Sequence, residues 1–451
     1  MIDFLRNMGL IIEDIVGFGC DNAKVNTGAH NGLISPFQKS SPFMIGNGCF
    51  GHLFALTNKH SFEELNHLND FDLLIKKGYK YFSKRPKKLI DLQNWYKVKG
   101  LKFHKLLNIF DVRWLSRGNS VNSFRRNLPA VLDTLLSTSK DVAEDKKNRN
   151  KALNLYQEFT TFENLFLIYS LCDILDLCCR FSKTFQSDEH QLYSKNETIQ
   201  DLIKCLTDGY LGESVNGIYF QEFQSLLLEI KAGKNEKFKD HNAEFKKWVS
   251  EGILQTQREN KMIKVLRALS QNIIENLKKY FPDSGFIHDT WIFDIESFLK
   301  KHNQDSNVQS YGNSEILRLS EHYGEIKKQE SRGIGSTYLP PLINSEKVIQ
   351  EWPYFKLMLL NNFENDGKSK NKDYWKHIFR TQGGNFPQIL KLAQLIFLIP
   401  SNSCSCERGK LFISLHKVIN FCKVSVLKTQ SKQNIEIDSR LILLICFYAV
   451  A

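Results

Sequence analysis

The residues best suited to chemistry begin with an arginine beside a tryptophan, in Val112-Arg113-Trp114-Leu115-Ser116-Arg117, and with the basic stretch that leads into it. Between Lys76 and Arg126 there are fifteen Lys and Arg, among them Lys84, Arg85, Lys87 and Lys88, and two acids, Asp91 and Asp111. That local excess of +13 accounts for the +12 of the whole chain, so the basic character is confined to one segment. Tyr79, Tyr81, Phe82, Trp95, Tyr96, Phe103 and Trp114 are interleaved with it. Cations neutralise phosphates and exposed rings stack on bases, so the mixture suits a nucleic-acid backbone. A solvated lysine surface whose aromatics turn inward fits the same composition equally well.

Other reactive types are scattered along the chain. Ile11 to Cys20 is apolar and β-branched and breaks at Asp21-Asn22, which predicts a buried strand ending in an acid, with residues 22–38 supplying the next helix. Phe43-Met44-Ile45-Gly46 predicts another short strand. Cys49 and His52 follow it and lead into a helix at Leu53. Leu106 to Phe110 predicts a further strand that would deliver Arg113 and Trp114 from its end, and strand–helix alternation implies an α/β unit with parallel pairing. From about residue 121 to 335 apolar positions recur at helical spacing, with loops at 188–195 and 233–241 and a flexible linker at 302–313. Beyond Pro340-Pro341, helices are predicted around Trp352, Trp375 and Phe386 to Ile399, and Ser401 to Gly409 reads as a capped helix start containing Glu407.

At 451 residues and 42 % hydrophobic the chain has the balance of a globular protein of two or three domains. Met1 to Gly9 lacks the pattern of a secretory signal. Its ten cysteines lack the paired spacing of a zinc finger and are expected to be reduced thiols. The apolar run Leu441 to Ala451 falls short of the roughly 20 residues a membrane span needs, so no membrane partner is expected.

Taken in order, several segments resemble motifs of the hAT-superfamily transposases. These are Gly17-Phe18-Gly19-Cys20-Asp21-Asn22-Ala23 with Gly28 and Asn31-Gly32 behind it, Cys49 and His52, Arg113 to Arg117, Glu351-Trp352, Phe386-Pro387 to Ala393, and Ile399-Pro400 to Gly409 with its Cys406-Glu407-Arg408-Gly409. The chain is most similar to the zinc-finger-associated branch of that family. The resemblance implies an α/β plus all-α chain with three parts. A partial RNase-H-like core with the basic-aromatic segment would occupy 1–126, a large helical insertion 127–340, and a helical C-terminal dimerisation region that completes the core 341–451. It implies that Asp21 and Glu407 descend from ligands of Mg2+ or Mn2+, which in the family activate water and then a DNA 3′ hydroxyl. Arg113 would contact phosphate and Trp114 stack on a swung-out base, with Cys49 and His52 near the metals. It also implies a nuclear protein that self-associates through its C-terminal region and meets DNA, partly through Arg117, Lys84, Arg85, Lys87 and Lys88.

Local readings stand beside these roles. Asp21 has the position of a helix cap, Cys49 of a buried thiol and His52 of a satisfied core histidine. Trp114 could be core, Arg113 could pair with Asp111 or a carbonyl, and Glu407 could be a helix-start acid beside Arg408. The sequence also departs from the family. Its first catalytic Asp has no counterpart on a separate strand, since Asp3 and Asp14 lie too near Asp21, and the pattern is lost after Arg408 and again from Val424. The expectation is a truncated, catalytically inactive derivative that holds no metal. An active transposase and a protein–protein scaffold without DNA binding are the alternatives.

Overall fold

The computed structural model describes residues 7, 11–28, 32–98, 103–109, 114–187, 191–249, 253–302, 308–331, 335–363, 369–401 and 444–447. They are mostly helical, with few strands. The chain divides into two units: residues 1–53, 184–199 and 281–451 form the first, and 54–183 with 200–280 form the second. The basic segment expected in the N-terminal core therefore falls in the helical unit, which begins at Phe54 rather than near residue 127.

The first unit opens with strand β1 (Gly17–Cys20), shorter than the apolar run that predicts it because Ile12–Asp14 closes into a 3-10 turn. All four residues of β1 are buried, as the middle strand of a covered parallel sheet must be. It pairs in parallel with β2 (Ile45–Gly48), from Gly17 opposite Ile45 to Cys20 opposite Gly48, and on its other side with Leu444–Phe447. The predicted 22–38 helix is instead a single turn, Lys24–Thr27, followed by α1 (Ile34–Ser40). Phe18, Phe37 and Met44 form a small core beneath the sheet. Chain from far downstream lies against it. Asn47 donates its side-chain N–H to Pro400 O at 2.8 Å, and Phe50 N donates to Ser401 O at 3.1 Å, where α2 (Phe50–Glu63) begins.

In the helical unit, α3 (Asn66–Ser83) buries Leu68, Phe71, Leu74, Ile75, Gly78, Tyr81 and Phe82, a stripe spaced three and four apart. Pro86, harmless at a first helical position, opens α4 (Pro86–Val98). Then come α5 (Trp114–Lys140), α6 (Lys146–Phe159), α7 (Phe162–Phe185), α8 (Lys195–Leu206), α9 (Ile218–Ala232), α10 (Asn242–Val249) and α11 (Ile253–Tyr280). Gly78 is where α3 meets two others: a Cβ there would lie 2.9 Å from ring atoms of both Phe124 on α5 and Phe159 on α6. The strand predicted at 106–110 is not found in the described 103–109, which is irregular. Its backbone polar groups are satisfied by α5 side chains rather than a ladder: Ser120 Oγ donates to Leu107 O at 2.6 Å, Leu107 N to Ser123 Oγ at 3.1 Å, and Asn127 Nδ2 to His104 O at 2.7 Å. Inside the bundle, buried His241 joins Asp133 Oδ1 of α5 at 2.9 Å to the Tyr156 hydroxyl of α6 at 3.1 Å.

The remainder of the first unit packs α12 (Ile295–His302), α13 (Asn313–Gly324), α14 (Ser345–Phe363), α15 (Asn371–Thr381) and α16 (Pro387–Phe397) around an aromatic core. Phe355 stacks between Trp352 and Trp375 with centroids 5.9 Å from each. Between α13 and α14 lies a hairpin absent from the sequence reading, β3 (Lys327–Ser331) antiparallel to β4 (Gly335–Leu339). Gln329 pins it by donating to Glu13 Oε1 at 2.9 Å and to Ser40 O at 3.0 Å. Leu444–Phe447 is then β5, giving the sheet the order β2-β1-β5. The flexible linker expected at 302–313 is overturned at its end, because the buried Lys356 ammonium donates to Gln309 O, Tyr311 O and Asn313 Oδ1 at 2.6, 3.1 and 2.9 Å.

Candidate functional site

Asp21 stands where the sequence puts it, just past the C-terminal end of β1. Its half-buried carboxylate faces inward along its own loop. Oδ1 accepts from Ala23 N at 3.1 Å and from Asn26 Nδ2 at 2.5 Å, so it closes the turn into the one-turn helix. It is not a helix cap, because the N-cap position is Ala23 and carries no side-chain cap hydrogen bond; the Asp21 carboxylate closes the turn that leads into it. Next to it, Asn22 Nδ2 donates to Cys49 O at 3.0 Å and Cys49 N donates to Cys20 O at 2.8 Å, which ties the ends of β1 and β2 together. Cys20 and Cys49 are both buried. Burial first, then Asp21 and Cys49, push the Cys20 thiol up to about 11, so it stays protonated and unreactive at neutral pH. His52 is half-buried on the first turn of α2.

Asp21 and Cys49 are thus neighbours through Asn22, with His52 one helical turn further on. Glu407 and Arg113 lie outside the described residues. Trp114 opens α5, and its side chain is likewise outside them. Mg2+ and Mn2+ take several hard oxygen donors. The described donors here do not fit either ion, since they are one carboxylate with an oxygen already accepting two hydrogen bonds, the protonated thiol of Cys20 and the soft, buried sulfur of Cys49. Among the described residues no group of three or more His, Cys, Asp or Glu could hold a metal.

The basic segment is rearranged more drastically. Arg117 is buried, and its guanidinium makes a forked ion pair with Asp72, Nη2 to Oδ2 at 2.7 Å and Nε to Oδ2 at 2.9 Å, while its carbon lies 4.0 Å over the Phe62 ring. Its expected DNA contact is overturned, because the residue is buried and the Nε–Nη2 edge and one face of its guanidinium are committed inside the bundle. Lys88 is overturned for the same reason. It is 4 % exposed, and Nζ lies 2.8 Å from Glu144 Oε1 and 3.2 Å from Thr138 Oγ1. Burial alone would lower the Lys88 ammonium, but the hydrogen bond to Glu144 and the neighbouring charges hold it above its ordinary value. Reciprocally, the hydrogen bond from Lys88 draws the Glu144 carboxyl down against the effect of burial. Lys87 is exposed with Nζ 3.5 Å from Glu144, and half-buried Arg85 lies 5.4 Å over the Tyr81 ring. Lys84 is exposed. Of the aromatics, Tyr81, Phe82 and Tyr96 are core. No family model, curated protein or solved structure matches this chain.

The sequence reading missed a second basic cluster, Lys146-Lys147-Asn148-Arg149-Asn150-Lys151, at the start of α6. The signal was present, but Asp141, Glu144 and Asp145 precede it and dilute its local charge. Among the described residues no helix is long and apolar enough to cross a membrane.

Proposed function

We propose that this chain is a transposase-derived nuclear protein, catalytically inert, that binds DNA and self-associates through its C-terminal region. The observation that carries the reading is the junction at Cys49. There the loop of Asp21-Asn22 meets the start of α2, and Phe50 N bonds to Ser401 O, six residues ahead of Glu407. A parallel sheet whose strands come from both ends of the chain, with a helical unit between them in sequence, supports a core interrupted by an insertion. The engagement of Asp21 Oδ1 by Ala23 and Asn26, beside the protonated thiol of Cys20, supports loss of the metal chemistry.

The internal pairing of Lys88 and Arg117 shrinks the expected basic surface and favours, as a second reading, a scaffold that does not bind DNA. Duplex binding followed by fluorescence anisotropy over a salt series separates the two. Contact with roughly 5 phosphates gives log K against log salt a slope of about −4 to −5, whereas a scaffold gives a flat response. Plasmid incubated with the chain and Mg2+ or Mn2+ is expected to stay supercoiled, and cleavage abolished by Asp21→Asn would overturn the inert reading.

A further inference from the structure

The geometry points to the open groove between α3 and α6 as a seat for the phosphate backbone of duplex nucleic acid. The inference rests on the DNA-binding reading and gives it a place that the basic-aromatic segment does not supply. The groove has a volume of about 670 Å³ and is lined by Lys77 from α3 and by Lys146, Lys147, Lys151, Asn150 and Asn154 from α6, with Leu155 at its floor. Its acid is Glu158, whose Oε2 lies 3.0 Å from Lys77 Nζ. Among the described residues no acid pairs with Lys146, Lys147 or Lys151, and all three are exposed.

Three features decide the ligand class. First, Lys147, Asn150, Lys151 and Asn154 follow the i, i+3, i+4, i+7 spacing of one helix face, so cations and neutral amide donors alternate along a track. Lys147 and Lys151 are about 6 Å apart along the axis, roughly two phosphates of a strand rising 3.4 Å each. Second, Lys146 and Lys147 occupy the first turn of α6, where the helix dipole disfavours cations and where the terminus itself is already capped by Asp145, which accepts from Asn148 N at 2.8 Å. Their presence there works against the stability of the free helix. Third, no aromatic lines the groove, so it offers nothing on which an unstacked base could lie. An open track of lysines and asparagines without rings fits the outside of a duplex and positions it without reading its sequence. Lys80, exposed three positions beyond Lys77, extends the positive stripe along α3, and exposed Lys84 follows at the end of that helix.

The test is anisotropy of the full chain with a 20-base-pair duplex between 50 and 200 mM salt, folding being checked by circular dichroism. Removing three phosphate contacts in K146Q/K147Q/K151Q should make the log–log slope shallower by about 2.7, at about 0.9 per phosphate. E158Q frees Lys77 and should move the other way, with tighter binding and a slope steeper by about 0.9. Loss of fold cannot imitate that gain. If the unaltered chain binds and neither variant changes the slope, the groove is wrong while the DNA-binding reading stands. If the unaltered chain does not bind, both fall. If single-stranded DNA binds more tightly and is equally weakened by the triple variant, the duplex assignment is overturned.

Discussion

Two lysine-rich stretches of the helical unit, 84–88 and 146–151, look alike in composition and differ in how their charges are paired. In the first, Lys87 and Lys88 both approach Glu144, at 3.5 and 2.8 Å, and Arg85 lies over Tyr81. In the second, Lys146, Lys147 and Lys151 face an open groove and make no ion pair among the described residues. Charge counted in a sequence window is therefore a poor guide to charge presented to solvent. The neutralising acids arrive from elsewhere: Asp72 for Arg117, Glu144 for Lys88, and Glu222 for Arg125 at 2.6 Å. A cation whose counter-ion is distant in sequence looks free until the helices are packed.

The contrast breaks most decisively at the Arg117–Asp72 pair. Asp72→Asn leaves a buried guanidinium without its carboxylate and should cost about 3–5 kcal/mol in urea unfolding, while the double apolar change Asp72→Leu with Arg117→Met recovers most of it. If Asp72→Asn instead leaves stability within error and raises DNA affinity, Arg117 is a DNA contact and the comparison fails. Lys88→Met should cost about 1–3 kcal/mol at neutral pH, since Glu144 keeps a charge without its main donor. The pH dependence has a definite sign. The Glu144 carboxyl is depressed below its ordinary 4.5, so its contribution is present above that value and lost as pH falls through the folded one. Lys88→Met should flatten this acid-side decline, and an unchanged acid limb would show that the pair does not couple to folding. The smallest effect lies in the groove. Lys147→Glu should stabilise the chain by about 0.5–1 kcal/mol, through the helix dipole and a new pair with Lys151 four residues on. A loss of stability would mean that Lys147 has an internal partner and is not free.

How legible each part was follows the same logic of local against distant partners. The α16 start at Pro387 and the acid at the end of β1 are set by residues within a turn or two, and the sequence places them well. The predicted strand at 106–110 fails because the backbone of Leu107 bonds to Ser120 and Ser123, hydroxyls on a later helix that stand in for a neighbouring strand. The linker at 302–313 fails for a similar reason, since Lys356, more than forty positions on, gathers its carbonyls. Around Asp21, the sequence announced the acid and the thiol of Cys49. It did not announce Asn22 and Asn26, the amides that decide what those groups bond to.

Gly78 links the buried half of the helical unit to the wet half. With only a hydrogen where other residues carry carbon, α3 sinks against Phe124 and Phe159, and the preceding residue, Lys77, is lowered to within reach of Glu158 on the rim of the lysine track. The width of that track is thus gauged by an absent methyl group. Enlarging position 78 would prise the two walls apart and detune the surface without touching any of its charges.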